Sequence, residues 1–156
     1  TSLSLFFVLA SLVACDDDAK KYTAEFPRFE PLQLKLAENE LPKVGKSVVV
    51  EAPQRKMGKH LYEVTYQWTV SGPAEAVQRY GKSNLYTQRT PAPTDTITFS
   101  QSGRYNIVLV ASYEVSGIGK GQSFTENFPA KMGSAKYDGS ALRYRVTLER
   151  TIDVDD

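Results

Sequence analysis

Tyr62-Glu63-Val64-Thr65-Tyr66-Gln67-Trp68-Thr69-Val70 alternates without a break. Successive side chains of a strand point to opposite faces, so Tyr62, Val64, Tyr66, Trp68 and Val70 share one side. Glu63, Thr65, Gln67 and Thr69 take the other. Burying five such side chains stabilises by about 8–15 kcal/mol. Ordering nine backbone residues costs a comparable ~9–18 kcal/mol. The strand cannot stand alone, and its aromatic face calls for a second sheet.

Working outward, Tyr105 to Val115 is a second long strand, with Tyr105, Ile107, Leu109, Ala111 and Tyr113 on one face. Val108 and Val110 lie opposite, which predicts partial cover on both sides. Leu32 to Leu36 alternates as a first strand, Ser47–Glu51 follows as another, and Thr96-Ile97-Thr98-Phe99 is a short one. Near the C-terminus, Leu142 to Ile152 sets Leu142, Tyr144, Val146 and Leu148 against Arg143, Arg145, Thr147 and Glu149. Its charges predict an edge strand guarded against further pairing. Asp153, Asp155 and Asp156 are expected as an exposed acidic tail.

Between these strands the pattern weakens. Gly72-Pro73 turns the chain, Ala74–Arg79 reads as one or two helical turns, and Pro91 and Pro93 forbid a central strand. Arg55, Lys56 and Lys59 surround Gly58 in a basic, solvated loop. Ser116 to Ala141 holds Gly117, Gly119, Gly121, Gly133 and Gly139, which predicts a flexible hairpin or extended loop bracketed by Phe124, Phe128 and Tyr137.

Composition agrees with one folded domain. The chain has 156 residues, 41% hydrophobic and 24% charged, enough for a real core. A formal charge of +1 supplies no field that would draw it to nucleic acid. Seven Phe, nine Tyr and one Trp favour β structure, and a single cysteine excludes an internal disulfide.

Tyr66-Gln67-Trp68-Thr69-Val70, Thr96-Ile97-Thr98-Phe99 and Gly103-Arg104-Tyr105-Asn106-Ile107-Val108-Leu109 together resemble PKD-type immunoglobulin-like domains. The resemblance covers roughly Val44 to Ser116. It departs at Ser71-Gly72-Pro73, where the family has a Gly-Asp-Gly turn. It implies an all-β, immunoglobulin-like antiparallel β-sandwich in which Trp68 packs between two sheets and Tyr105 opens the strand beside it.

The N-terminal stretch has a different character. Leu3 to Ala14 is apolar except for Ser4 and Ser11, and no charge precedes Asp16. As a helix it would span roughly 18–20 Å, short of the ~30 Å hydrocarbon core, which suits a secretory signal segment better than a membrane span. Leu12-Val13-Ala14-Cys15 resembles the lipobox of bacterial lipoproteins, which implies cleavage before Cys15 and acylation of its thiol. Several acyl chains anchor stably where a single chain gives only marginal binding. Asp16-Asp17-Asp18 resembles the surface-export signal of lipoproteins in some Gram-negative anaerobes, which implies display on the outside of the outer membrane. The expected organisation is a signal peptide over 1–14, truncated at its start, a lipidated tether over 15–31, and the sandwich over 32–156. Tyr22, Phe26 and Phe29 in the tether are expected to dock on the body, because free rings beside a membrane are a liability.

No residue set rises to a catalytic assignment. His60 is the only histidine, and its one potential thiol partner, Cys15, is committed to lipid. Neither a zinc set nor an EF-hand spacing is present in the sequence. Gly117-Ile118-Gly119-Lys120-Gly121 has no helix after it to hold a phosphate. The expectation is therefore a non-enzymatic module without a cofactor, bound to the membrane through Cys15. It would hold a protein or glycan ligand through Tyr80, Tyr86, Phe124, Phe128 and Tyr137. The rival is a structural or accessory subunit of an outer-membrane assembly, and a small hydrolase stands third.

Overall fold

A computed structural model describes residues 24–80, 84–86, 93–115 and 122–156. Twelve strands run in order through them: β1 (Arg28–Phe29), β2 (Gln33–Leu34), β3 (Ser47–Glu51), β4 (Gln54–Lys56), β5 (Leu61–Ser71) and β6 (Val77–Gln78). The second half supplies β7 (Asn84–Tyr86), β8 (Thr94–Thr98), β9 (Gly103–Val115), β10 (Phe124–Asn127), β11 (Gly133–Asp138) and β12 (Arg143–Val154). A short 3-10 turn at Pro129–Lys131 joins β10 to β11.

The protein is all-β, built of antiparallel sheets. The larger has six strands in the order β10-β11-β12-β9-β5-β7, and the smaller has four, β2-β3-β8-β6. Their inward residues share one core, including Trp68, Tyr105, Phe99, Ile97, Val50 and Leu148. β1 and β4 form a separate two-stranded ribbon. The register gives the sandwich two ends. Leu61 lies opposite Val115 and Arg143 opposite Glu114 at the upper end, while Ser71 lies opposite Asn106 and Val154 opposite Gly103 at the lower.

β9 behaves as its alternation predicts. Tyr105, Ile107, Leu109, Ala111 and Tyr113 are all buried, and Val108 and Val110 are half-buried on the outer face. The Tyr105 hydroxyl donates to the Gln101 carbonyl at 2.7 Å. β5 departs from its pattern at one end. Trp68, Tyr66 and Val64 are buried, but Tyr62 is 48% exposed and Leu61, at 2%, takes the inward place. The register of β5 on β9 shifts between Tyr62 and Thr65, with Glu63 in the left-handed region at φ 44°. One irregular residue moves everything before it to the opposite face.

Further expectations are corrected or refined. β12 is interior rather than an edge, because β11 pairs along it from Gly133↔Leu148 to Asp138↔Arg143. At the acidic end Asp153, Asp155 and Asp156 are exposed as expected, but the backbone is held: β12 runs to Val154, the Asp155 amide donates to Pro42 O, and its carbonyl accepts from the Val44 amide, both at 2.9 Å. Of the two forms expected for Ser116 to Ala141, hairpin or extended loop, the described part is a hairpin, β10 paired with β11, with Ala135 and Tyr137 turned inward. There Gly133 answers to packing rather than flexibility, since a Cβ on it would collide with the carbonyl oxygen of Thr147. Gly117, Gly119 and Gly121 lie outside the described residues.

Ala74–Arg79 is not helical. β6 pairs with β8 through Val77↔Thr98 and Gln78↔Ile97. The cause is Asp95, fully buried, whose carboxylate accepts from Gln78 Nε2 at 2.9 Å and from the Tyr80 amide at 2.7 Å. Those bonds hold the segment extended against β8. Of the predicted first strand, only Gln33 and Leu34 join a ladder, although Leu32 is buried and Leu34 and Leu36 pack on the core.

The packed body also takes in residues 24–31. Glu25 and Lys59 exchange two backbone hydrogen bonds of 3.0 Å, and β1 pairs with β4. Phe26 stacks on Tyr144 with centroids 4.1 Å apart, and Phe29 also packs against the core. Tyr22, Cys15 and Asp16–Asp18 lie outside the described residues.

Candidate functional site

The inward stripe of β12 runs Tyr144, Val146, Leu148, Ile152, Val154, all buried. Arg150 occupies the one inward register position between Leu148 and Ile152, and it is exposed. A guanidinium cannot be desolvated cheaply without a partner. Here it donates to the Leu32 carbonyl at 2.8 Å while remaining open to solvent.

That opening is a groove of about 600 Å³ lined by Pro31, Leu32, Met132, Lys131, Glu149 and Arg150, among others. A second hollow of about 300 Å³ shares Arg150 and Thr151 with it and continues past Leu34 and Leu36 to Leu41 and Pro42. The two make an elongated furrow between the segment from Pro31 to Pro42 and β12. Its upper rim is conformationally unusual. Ala130 and Lys131 both sit at φ 55°, a region costly for residues with a Cβ. The Glu149 amide donates to the Met132 carbonyl at 3.0 Å, fixing that rim to the strand. The furrow thus offers two cations, Lys131 and Arg150, three carboxylates, Glu40, Glu149 and Asp153, and an apolar floor, a set suited to orienting a polar, extended ligand. Among the described residues, no three His, Cys, Asp or Glu side chains converge as metal ligands.

The five aromatic residues predicted from sequence do not form one platform. Tyr137 is 1% exposed, so its ring packs rather than presents. Phe124 lies directly across from it on β10, and both rings pack with Phe26 at 5.4–5.6 Å. Tyr144 joins this cluster, and burial pushes its hydroxyl up to about 12, with Arg28 opposing that rise and Glu126 adding to it. Phe124, 41% exposed, is the ring of this cluster most open to solvent, and Phe26 is half-buried. Phe128 stands at the far end of β10, packed against the core.

Tyr80 belongs to another part of the fold, beside β6, where the Arg79 guanidinium lies 5.1 Å from its ring centroid. The backbone of Tyr86 pairs with Val64 in β7, and its side chain lies outside what the structure describes. His60 sits in the loop before β5 at φ 53°. The basic residues expected in a loop are instead partly in strand β4, and they are fixed to the N-terminal segment, with Lys59 near Glu25 at 3.6 Å and Arg55 bound to Glu30 at 3.0 Å.

Arg150 was within reach of the sequence. An arginine in register with Tyr144, Val146, Leu148, Ile152 and Val154 interrupts an apolar stripe, and an interruption of that kind marks an opening in the core. The furrow's other walls come from residues 31–42 and 130–132, which no local pattern joins to β12. No family model, no curated protein and no solved structure matches the chain.

Proposed function

We propose that this chain is a lipid-anchored cell-envelope protein whose body is a non-catalytic binding module for a protein segment or glycan. The observation that carries the binding role is the accessible arginine set into the apolar stripe of β12, at the floor of an elongated furrow. The anchor rests on Leu12-Val13-Ala14-Cys15 at the end of an apolar run. With Asp16–Asp18 following, display is on the outer surface of the outer membrane.

The body is immunoglobulin-like, of the PKD type. In support, β2-β3-β8 follow the spatial order of strands A, B and E of that fold, and β12-β9-β5 that of G, F and C, whereas β6 and β7 stand in the reverse of the chain order that D and C′ would have. Trp68 then falls on the C strand and is buried, and the Tyr105 hydroxyl closes a corner before the F strand. The β10–β11 hairpin is an addition between F and G that widens one sheet.

Two measurements test this. Metabolic labelling with an alkynyl fatty acid marks the wild-type protein and leaves Cys15→Ser unmarked. A glycan array and an overlay on envelope proteins give a signal that the double variant Lys131→Ala/Glu149→Ala weakens by about tenfold or more, the scale of one lost charge-assisted bond. An unchanged signal would remove the furrow from consideration.

A further inference from the structure

We propose that the upper end of the sandwich rests on the lipid surface, with Met57, Tyr62 and Phe124 seated in the membrane interface. This rests on the anchoring of Cys15. Nine peptide steps lead from Cys15 to Ala24. Fully extended they reach about 30 Å, so the point where the chain enters the body is held near the bilayer. That point is fixed by the Glu25–Lys59 hydrogen bonds and the Phe26–Tyr144 stack, both at the upper end. The lower end lies about 40 Å away along β9, a strand of 13 residues.

The surface chemistry of the upper end fits the same occupant. Among the described residues, five large hydrophobic side chains are exposed: Leu41, Met57, Tyr62, Val77 and Phe124. Three of them, Met57, Tyr62 and Phe124, belong to this end. Aromatic rings with one apolar and one polar side favour the headgroup region, and lysine stems can extend beside them.

Four carboxylates here are each matched by a cation. Glu126 pairs with Arg28 at 2.9 Å, Glu30 with Arg55 at 3.0 Å, Glu25 with Lys59 at 3.6 Å and Glu63 with Arg143 at 2.8 Å. Paired carboxylates repel anionic headgroups far less than bare ones do. Lys56, exposed beside Met57, adds a cation that such headgroups attract. The furrow, running toward Leu41 and Pro42 at the lower end, then opens away from the bilayer.

With Cys15 acylated, an engineered cysteine is the only free thiol, so an environment-sensitive dye can be placed at one site at a time. The lipidated protein carrying Met57→Cys, Tyr62→Cys, Phe124→Cys, Leu41→Cys or Val77→Cys is reconstituted in vesicles of phosphatidylethanolamine and phosphatidylglycerol. The expected result is blue-shifted emission, quenched by spin-labelled lipid, at 57, 62 and 124, and water-like emission at 41 and 77. Water-like emission at 57, 62 and 124 in protein that still floats with vesicles overturns the resting orientation and leaves the anchor standing. Protein that fails to float, with an unmodified Cys15 by mass, overturns both. Quenching at 41 and 77 instead would mean that the molecule lies the other way.

Discussion

The two sheets of this sandwich are held by different means. In the larger, β5, β9 and β12 run 11, 13 and 12 residues, and β9 and β12 pair without interruption. In the smaller, β2, β3, β8 and β6 have only 2, 5, 5 and 2 residues. A long ladder with a continuous apolar stripe specifies its own register. Short strands have too few cross-strand pairs for that, and the smaller sheet is placed by contacts from outside it. Chief among these is Asp95, which ties β8 to Gln78 and Tyr80, while Gln78 Nε2 also lies 3.2 Å from the carbonyl of Trp68 in the opposite sheet.

The largest expected effect is on the element both sheets share. Trp68→Ala should destabilise by about 3–5 kcal/mol through the cavity it leaves. Chemical denaturation with an unchanged midpoint would show that the core does not depend on this ring.

Asp95→Ala comes next. It takes the Asp95 acceptor from the half-buried Tyr80 amide and leaves Gln78 Nε2 only the Trp68 carbonyl, at about 1–3 kcal/mol. The comparison of sheets predicts more than a global loss. Hydrogen exchange should accelerate at Tyr80 and along β6 while β9 and β12 stay protected. Uniform acceleration would dissolve the distinction between the sheets.

The larger sheet carries its own signature at high pH. Burial raises the Tyr113 hydroxyl well above its ordinary value, with further contributions from Tyr66 and Tyr144, and holds Tyr144 at about 12. In the unfolded chain these phenols ionise near about 10. The folded state therefore binds protons that the unfolded state releases. Stability from these groups is present in full below about pH 10 and falls as pH rises toward 12. Denaturation midpoints measured across that range should decline, and Tyr144→Phe should flatten the decline.

Smallest of all is Tyr62→Ser. With the ring turned out by the shift before Thr65, the change should stay within about 0.5 kcal/mol. A loss of the size seen for buried residues would place Tyr62 in the core, as strict alternation predicts.

What could be read in advance follows the same division. β9 and the body of β5 were legible because period two survived over many residues. The first turn of β5 was not, since Tyr62 suits an inward place as well as Leu61 does, and only the irregularity at Glu63 decides between them. Counting glycines left β10 and β11 as either a hairpin or an extended loop, with no means of choosing between them. Gly133 is there because the Thr147 carbonyl approaches too closely for a Cβ, a condition set by a residue on another strand. The charges on β12 were read correctly as outward-facing but wrongly as an edge, because a solvated face and a solvated edge carry the same side chains. The aromatic residues chosen as ligand contacts were chosen for being in loops. Phe124 and Tyr137 are in strands, and their chief partner is Phe26.

The seating of residues 24–30 also has a mechanical consequence. Any pull on the chain from its N-terminal side enters the body at the Glu25–Lys59 bridge and the Phe26–Tyr144 stack, before it reaches β5. This segment is held by a two-residue strand, a few backbone bonds, the rings of Phe26 and Phe29 and surface ion pairs, whereas β5 is laddered to β9 over most of its length. Under load this segment should detach before the long ladders of the larger sheet do. The sandwich behind it remains folded, so these few residues act as a fuse in series with the domain.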